Sequence, residues 1–146
     1  MGKNFIEILI VDDCQPDIVL MREAIAETGH FKVVSEFYNG NQAIRFLTNT
    51  LTSSPSRLPD MIMLDINMPG MNGFETLKAI KSKQELSYIP IVILTTSNRR
   101  EDVIKSYAYG ASSYLHKPSS FAELCRAFEQ LANYWTMVSV LPMKCK

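Results

Sequence analysis

Polar side chains that could do chemistry stand at four places where a run of apolar residues ends. They are the acid pair Asp12 and Asp13, then Asp65, Thr95 and Lys117. Carboxylates crowded into one site repel one another by on the order of 4 kcal/mol per pair at 4 Å and an effective dielectric of 20, so without a cation at least one tends to protonate. A hard dication relieves this repulsion, and Mg²⁺ suits a site that combines a few protein oxygens with water and phosphate. The set therefore indicates a magnesium site, provided that the fold brings the four places together.

The elements that must position these side chains are strands alternating with helices. The sequence predicts strands over 5–11, 32–38, 61–64, 89–94 and 112–116. It predicts helices from Pro16 to Gly29, after a cap at Asn41, after Gly73, over 99–109 and after Ser120, with a surface loop over 48–59. This alternation gives an α/β fold with a parallel sheet and right-handed crossovers. Since parallel strands end at one edge of the sheet, where ligands collect, we expect the polar positions to meet there.

Each of these polar residues also has an ordinary structural explanation when it is taken singly. Asp12 and Asp13 could be acids that cap the first helix, and Lys117 could be a solvated lysine in a turn before Pro118. Thr95 could be a simple strand residue. The conjunction of all of them at strand ends on one edge favours a functional site.

The composition is that of one ordinary domain. The chain has 146 residues, 47% of them hydrophobic, and its 15 basic and 15 acidic residues cancel. No basic block indicates nucleic acid and no apolar run approaches the ~18 residues of a membrane span, so we expect protein or small-molecule partners. Cys14, Cys125 and Cys145 are scattered, which favours reduced thiols and a cytoplasmic location.

Four motifs surround the polar residues. They are Asp12-Asp13, the stretch Pro59-Asp…Leu-Asp65…Met-Pro-Gly-Met-Asn-Gly73, Leu-Thr95-Thr-Ser, and Gly-Ala-Ser-Ser-Tyr114-Leu-His-Lys117-Pro118. In these motifs and along nearly its whole length the chain resembles the receiver domain of a two-component response regulator of the chemotaxis-regulator type. The resemblance implies a flavodoxin-like three-layer sandwich, whose five-stranded parallel sheet has the order 2-1-3-4-5 and is covered by five helices.

The resemblance also implies how such a domain works. Asp65 would accept a phosphoryl group from the phosphohistidine of a sensor histidine kinase, Lys117 would pair with phosphate oxygens, and the Thr95 hydroxyl would hydrogen-bond another. Thr95 and Tyr114 would then form a switch that changes a protein-interaction surface. The chain is expected to be a phosphoacceptor signalling protein, with slow self-catalysed phosphorylation and dephosphorylation, rather than an enzyme.

The same resemblance assigns the metal ligands. Asp13, Asp65 and the backbone carbonyl of Asn67 would contact Mg²⁺ directly, and Asp12 would act through water. Asn67 and Ser97 would flank the path of an attacking water molecule and tune the lifetime of the phosphate.

Three rival functions fit the residues less well. A haloacid-dehalogenase-like aspartyl-phosphate phosphatase would carry a second Asp two residues after its nucleophile, where this chain has Asn67, which is neither an acid nor a base. A flavin-binding protein of the same topology would need a phosphate-binding loop after the first strand, where Asp12 and Asp13 would repel phosphate. A receiver-like interaction module that is never phosphorylated is disfavoured because every site residue is present.

Within the family, one subgroup fits best. The doubled Thr95-Thr96, the Ser-rich stretch over 48–59 and the apolar tail resemble the small single-domain response regulators paired with bacterial phytochromes. The sensor kinase could therefore be a phytochrome. We expect a receiver domain over 1–136 and an apolar extension over 137–146, with no output domain.

The tail carries more apolar side chains than one helix face can bury. Leu131, Trp135 and Val138 continue the inward face of the last helix. The residues expected to form a homodimer interface are Tyr134, Trp135, Met137, Val140 and Leu141. The alternative is that the tail folds back over its own sheet.

Overall fold

The computed structural model describes residues 5–142, which form one parallel five-stranded sheet in the order β2-β1-β3-β4-β5. The strands are β1 (Ile6–Val11), β2 (Phe31–Phe37), β3 (Met61–Leu64), β4 (Ile91–Thr95) and β5 (Ser113–His116). The helices are α1 (Gln15–Thr28), α2 (Gly40–Ser53), α3 (Gly73–Ser82), α4 (Arg100–Ala108) and α5 (Phe121–Asn133). The predicted flavodoxin-like fold is confirmed.

Two apolar layers hold the sheet, one on each face. Successive side chains of a strand point to opposite faces, so Ile8 and Ile10 of β1 pack with α1 and α5, while Leu9 and Val11 pack with α2 and α3. The three central strands are buried on both faces, which explains their unbroken apolar sequences. The ends of β1, β3 and β4 are thereby fixed relative to one another.

The start and length of α2 differ from the prediction. Asn39, and not Asn41, is the cap, because its side-chain oxygen accepts a hydrogen bond from the Gln42 amide. The helix also extends through Ser53 into the predicted loop, since Thr50 continues its buried face one turn after Leu47.

The first turn of α3 is closed by a capping box that the sequence analysis did not identify. The Asn72 side chain accepts a hydrogen bond from the Glu75 amide, and the Glu75 carboxylate accepts one from the Asn72 amide. At the other end of α3, Lys81 donates to the carbonyl oxygens of Ser87 and Ile89, both at 2.8 Å. Both ends of the helix that follows Asp65 are thus anchored by polar contacts.

The last helix does not continue with regular α-helical spacing. Residues Tyr134–Val138 form a π-helical turn, closed by the Ser139 amide donating to the Tyr134 carbonyl. Trp135 packs against the core as predicted. The prediction for Val138 is wrong, because the residue is 73% exposed: the wider turn carries it off the inward face.

The tail divides its apolar side chains between the protein and the solvent. Tyr134, Met137 and Val140 are exposed, the last two at 80% and 87%. Trp135 and Leu141 pack against the core layer next to α5. The predicted extension is described as far as Pro142, and residues 143–146 lie outside the described range, as does the start of the predicted receiver domain, residues 1–4.

Neither a membrane span nor a disulfide is found between residues 5 and 142. No helix in that part of the chain is long and apolar enough to cross a membrane. Cys14 and Cys125 are free thiols, and Cys145 lies outside the described residues.

Candidate functional site

Backbone hydrogen bonds between neighbouring strands bring the predicted site residues to one edge of the sheet. The Asp65 amide, directly after β3, donates to the Val11 carbonyl at the end of β1, at 3.0 Å. The Lys117 amide, directly after β5, donates to the Thr95 carbonyl at the end of β4, at 2.7 Å. The four strand ends that carry polar side chains are therefore adjacent in pairs.

Three carboxylates form a cluster at this edge. Asp12, Asp13 and Asp65 each offer one oxygen, and these oxygens all lie within 4.8 Å of one another. Asp12 is 1% exposed, Asp65 is also buried, and Asp13 is exposed to solvent. Burial raises the pKa of Asp12 above its ordinary value, and the hydrogen bonds that this carboxylate accepts from Lys117 and from the Cys14 amide only partly offset the rise. A cluster of oxygen donors that is costly to charge fits a hard dication such as Mg²⁺.

Asn67 lies at the exposed rim of the cluster. Its amide donates to an Asp65 carboxylate oxygen over a long 3.4 Å. The loop after β3 thus holds the backbone of Asn67 beside the Asp65 side chain.

Lys117 is the cation of the site. Its Nζ donates to Asp12 and to Asp17, both at 2.7 Å, and lies 3.7 Å from the nearest Asp65 oxygen. The side chain is only 11% exposed, and this burial disfavours its charge. The hydrogen bonds to Asp12 and Asp17 outweigh burial and raise the pKa of Lys117 above its ordinary value. Lys117 is therefore a fixed positive charge at any physiological pH.

Asp17 is a member of the site that the sequence analysis missed. It lies in the first turn of α1, four residues after Asp13. Since α1 starts directly after the acid pair, a carboxylate in its first turn must lie near the same edge of the sheet. The position of Asp17 in the sequence could therefore have indicated a place in the site. An acid is equally common there for a local reason, because negative charge is favoured at a helix N-terminus.

The predicted switch residues are joined through Ser97. Thr95 is buried, and its hydroxyl accepts a hydrogen bond from the Ser97 amide at 3.3 Å. The Tyr114 hydroxyl donates to the Ser97 carbonyl at 2.9 Å, and the Ser97 hydroxyl donates to Asp102 at 2.6 Å. Burial raises the pKa of Tyr114 above its ordinary value, so the ring keeps its proton and remains a donor. Asp102, in the first turn of α4, is a second residue that the sequence analysis missed.

Gly73 packs directly against the backbone of Asp65 and Ile66. A Cβ at Gly73 would lie 2.3 Å from the Asp65 carbonyl oxygen and 2.5 Å from the Ile66 Cα. Glycine is therefore required at the start of α3, because any side chain would displace the loop that carries Asp65.

The tail residues of the predicted interface do not belong to the acid cluster or to its hydrogen-bond partners. Tyr134, Met137 and Val140 are exposed on and after the π-helical turn that follows α5. The structure thus brings Asp12, Asp13, Asp65 and Lys117 together, and the exposed tail residues are not among their contacts in the described part of the chain.

The sequence is similar to known proteins over most of its length. Residues 8–129 match the model of the response regulator receiver domain. The response regulator Rcp1 of Synechocystis is 32% identical over 135 residues, which cover 92% of each chain. A probable methanogenesis regulatory protein, FilR2 of Methanothrix harundinacea, is 34% identical over 88% of this chain and 82% of its own.

Two solved structures of response regulators superpose on nearly the whole chain. The phosphorylated cyanobacterial phytochrome response regulator RcpA superposes with a TM-score of 0.84 at 31% identity, covering 95% of this chain and 99% of its own. The Mn²⁺-bound form of Rcp1 superposes with a TM-score of 0.76 at 31% identity, covering 94% of this chain and 99% of its own.

Proposed function

The chain belongs to the response regulator receiver family, and on that premise we propose that it accepts a phosphoryl group on Asp65 from a sensor histidine kinase. One observation carries the proposal. The buried Asp65 carboxylate has the oxygens of Asp12 and Asp13 within 4.8 Å and the Lys117 ammonium at 3.7 Å. A nucleophilic carboxylate beside a metal-binding acid cluster and a fixed cation is the arrangement that phosphoryl transfer needs.

In the proposed reaction an Asp65 oxygen attacks the phosphorus of a phosphohistidine. The new O–P bond forms as the N–P bond breaks, and the histidine nitrogen leaves with the bonding electron pair. Lys117 pairs with a phosphoryl oxygen, for which it has a protonated ammonium close by. The Thr95 hydroxyl uses its oxygen to accept from the Ser97 amide, so its proton can be donated to another phosphoryl oxygen.

The acid cluster suits Mg²⁺ as the cofactor of this reaction. We assign Asp13, Asp65 and the Asn67 carbonyl as direct ligands and Asp12 as a ligand through water. The bound ion would supply the positive charge that offsets repulsion between the carboxylates and the incoming phosphoryl oxygens. The raised pKa of Asp12 supports this assignment, because it reflects a charge that the protein alone does not fully compensate.

We assign the switch to Thr95 and Tyr114. Movement of the Thr95 hydroxyl toward a phosphoryl group would change its contact with the Ser97 amide, and Ser97 in turn holds the Tyr114 hydroxyl. A single displacement at the phosphate would therefore reach the surface of β5 through two hydrogen bonds.

Loss of the phosphate should be slow. Neither Asn67 nor Ser97 is a strong base, and the Ser97 hydroxyl already donates to Asp102. The slow reaction separates this signalling role from that of a phosphatase.

The kinase partner is proposed to be a phytochrome-type histidine kinase. The support is the similarity to Rcp1 and RcpA over more than nine-tenths of the chain, since RcpA is a phytochrome response regulator. The pairing is tested by measuring the rate of phosphotransfer to this protein from a purified phytochrome-type histidine kinase and from an unrelated histidine kinase. Equal rates from both kinases would contradict it.

We further propose that the exposed tail residues mediate a homodimer. Tyr134, Met137 and Val140 form the exposed part of the predicted interface. Trp135 and Leu141, the other two residues of that interface, pack against the core of their own chain. Met137→Glu combined with Val140→Glu should shift the solution mass from dimer to monomer. A wild-type protein that is monomeric at high micromolar concentration, with and without phosphate on Asp65, would rule out the dimer.

The phosphoacceptor assignment is tested by incubation with acetyl phosphate and Mg²⁺. Intact mass should increase by one phosphoryl group in the wild type and not in Asp65→Asn. A phosphorylated Asp65→Asn variant would refute the assignment.

A further inference from the structure

Lys117 divides its hydrogen bonds between two carboxylates, only one of which belongs to the acid cluster. Asp12 is in the cluster, but Asp17 is not, because the three oxygens within mutual reach come from Asp12, Asp13 and Asp65. A metal ion in the cluster would compete with Lys117 for the negative charge of Asp12 and would leave the charge of Asp17 unchanged. Asp17 therefore keeps its attraction for Lys117 when the cluster is filled.

This contact competes with the part that Lys117 plays in the proposed function. The ammonium has three donors, and two are taken by Asp12 and Asp17. The distance from Nζ to Asp65 is 3.7 Å, which is an ion pair and too long for a hydrogen bond. The third donor is available for a phosphoryl group on Asp65, but Asp17 and Asp12 hold Nζ in its present position, so a closer approach to that group works against these two hydrogen bonds.

We propose that Asp17 is a positioning residue that restrains Lys117 in the unphosphorylated protein and competes with the phosphoryl group for it. The inference rests on the proposed function, because it requires a phosphoryl group on Asp65. Asp17 then sets how readily the protein reaches its phosphorylated state, without touching the reacting atoms.

The surroundings of Asp17 allow it to release Lys117. Its side chain is 34% exposed, three times the exposure of Lys117, so water can solvate the carboxylate when the ion pair opens. Asp17 and Lys117 also line a cavity of about 270 Å³ between α1 and the loop after β5, with Leu20 and Pro118 among its walls. The ion pair can thus open without repacking the core.

The test uses beryllofluoride, a phosphate mimic, with saturating Mg²⁺ and the full-length protein. Asp17→Asn keeps the size of the side chain and removes its charge. Its affinity for beryllofluoride should be about two- to fivefold higher than that of the wild type, the range expected for loss of one partly exposed ion pair. Glu23→Gln is the matched control, since it removes the same charge from an exposed position of the same helix and should leave the affinity unchanged.

A double mutant separates restraint of Lys117 from a general effect of charge. In a Lys117→Gln background the Asp17→Asn effect should vanish, because the residue that Asp17 restrains is gone. An Asp17→Asn effect of the same size in that background would overturn the inference, as would an affinity equal to or below that of the wild type. If the wild type binds no beryllofluoride in the presence of Mg²⁺, the proposed function itself is wrong and the inference falls with it.

Discussion

Replacing Gly73 with alanine should damage both the stability and the chemistry of the protein. The added Cβ would lie 2.3 Å from the Asp65 carbonyl oxygen, whereas ordinary contact begins at 3.4 Å, so the backbone must move by about 1 Å. Overpacking of this kind costs about 1–3 kcal/mol of unfolding free energy, and a rigid backbone neighbour favours the upper end. Because a 1 Å misplacement at a reacting group can cost about 100-fold in rate, phosphorylation by acetyl phosphate should slow by roughly 10- to 100-fold.

Gly70→Ala is the control for this experiment. Gly70 lies in the same loop and has a φ of 71°, but apart from its two chain neighbours no residue comes within 4 Å of a Cβ built there. Its replacement should cost about 1–2 kcal/mol through the left-handed backbone alone and leave phosphorylation within a few fold of the wild type. Urea denaturation and the rate of acetyl phosphate labelling give both quantities. A Gly73→Ala variant with wild-type stability and rate would refute the account of how Asp65 is positioned.

Three further variants test other contacts. Asp102→Asn should weaken the hydrogen bond from the Ser97 hydroxyl and change the lifetime of the phosphate on Asp65. In a Ser97→Ala background the same substitution should have no effect on that lifetime. Equal effects of Asp102→Asn in both backgrounds would contradict the contact. Asn72→Ala should lower the unfolding free energy in urea by about 1 kcal/mol through loss of the α3 cap, and no loss would contradict the capping box. Lys81→Met should cost about 1–3 kcal/mol in the same assay, because two loop carbonyls lose a charged donor; an unchanged midpoint would count against that anchor.

The sequence predicted the fold because its local signals agree with one another. Apolar runs too short for helices lie between segments of helical periodicity, and the resemblance to the receiver family supplied the strand order. The site could be located for the same reason: Thr95 ends a strand, Asp12, Asp65 and Lys117 each directly follow one, and a parallel sheet must collect them at one edge. These predictions depend on backbone topology, which the pattern of the chain determines.

Contacts between side chains of different elements could not be predicted in this way. Asp17 and Asp102 lie in the first turns of α1 and α4, where acids are common for local reasons, and only three-dimensional proximity shows that they bind Lys117 and Ser97. The prediction for Val138 fails because it depends on regular helical spacing, which the π-helical turn does not keep. Both kinds of difference arise where packing, rather than local sequence preference, decides the geometry.

The central claim is that Asp65 itself carries the phosphoryl group. Treatment of the phosphorylated protein with borohydride reduces an aspartyl phosphate to homoserine, which peptide mass spectrometry locates in the chain. We expect homoserine at position 65, and none when Mg²⁺ is left out of the phosphorylation. Homoserine at position 12 or 13, or a phosphoryl group that resists borohydride, would contradict it.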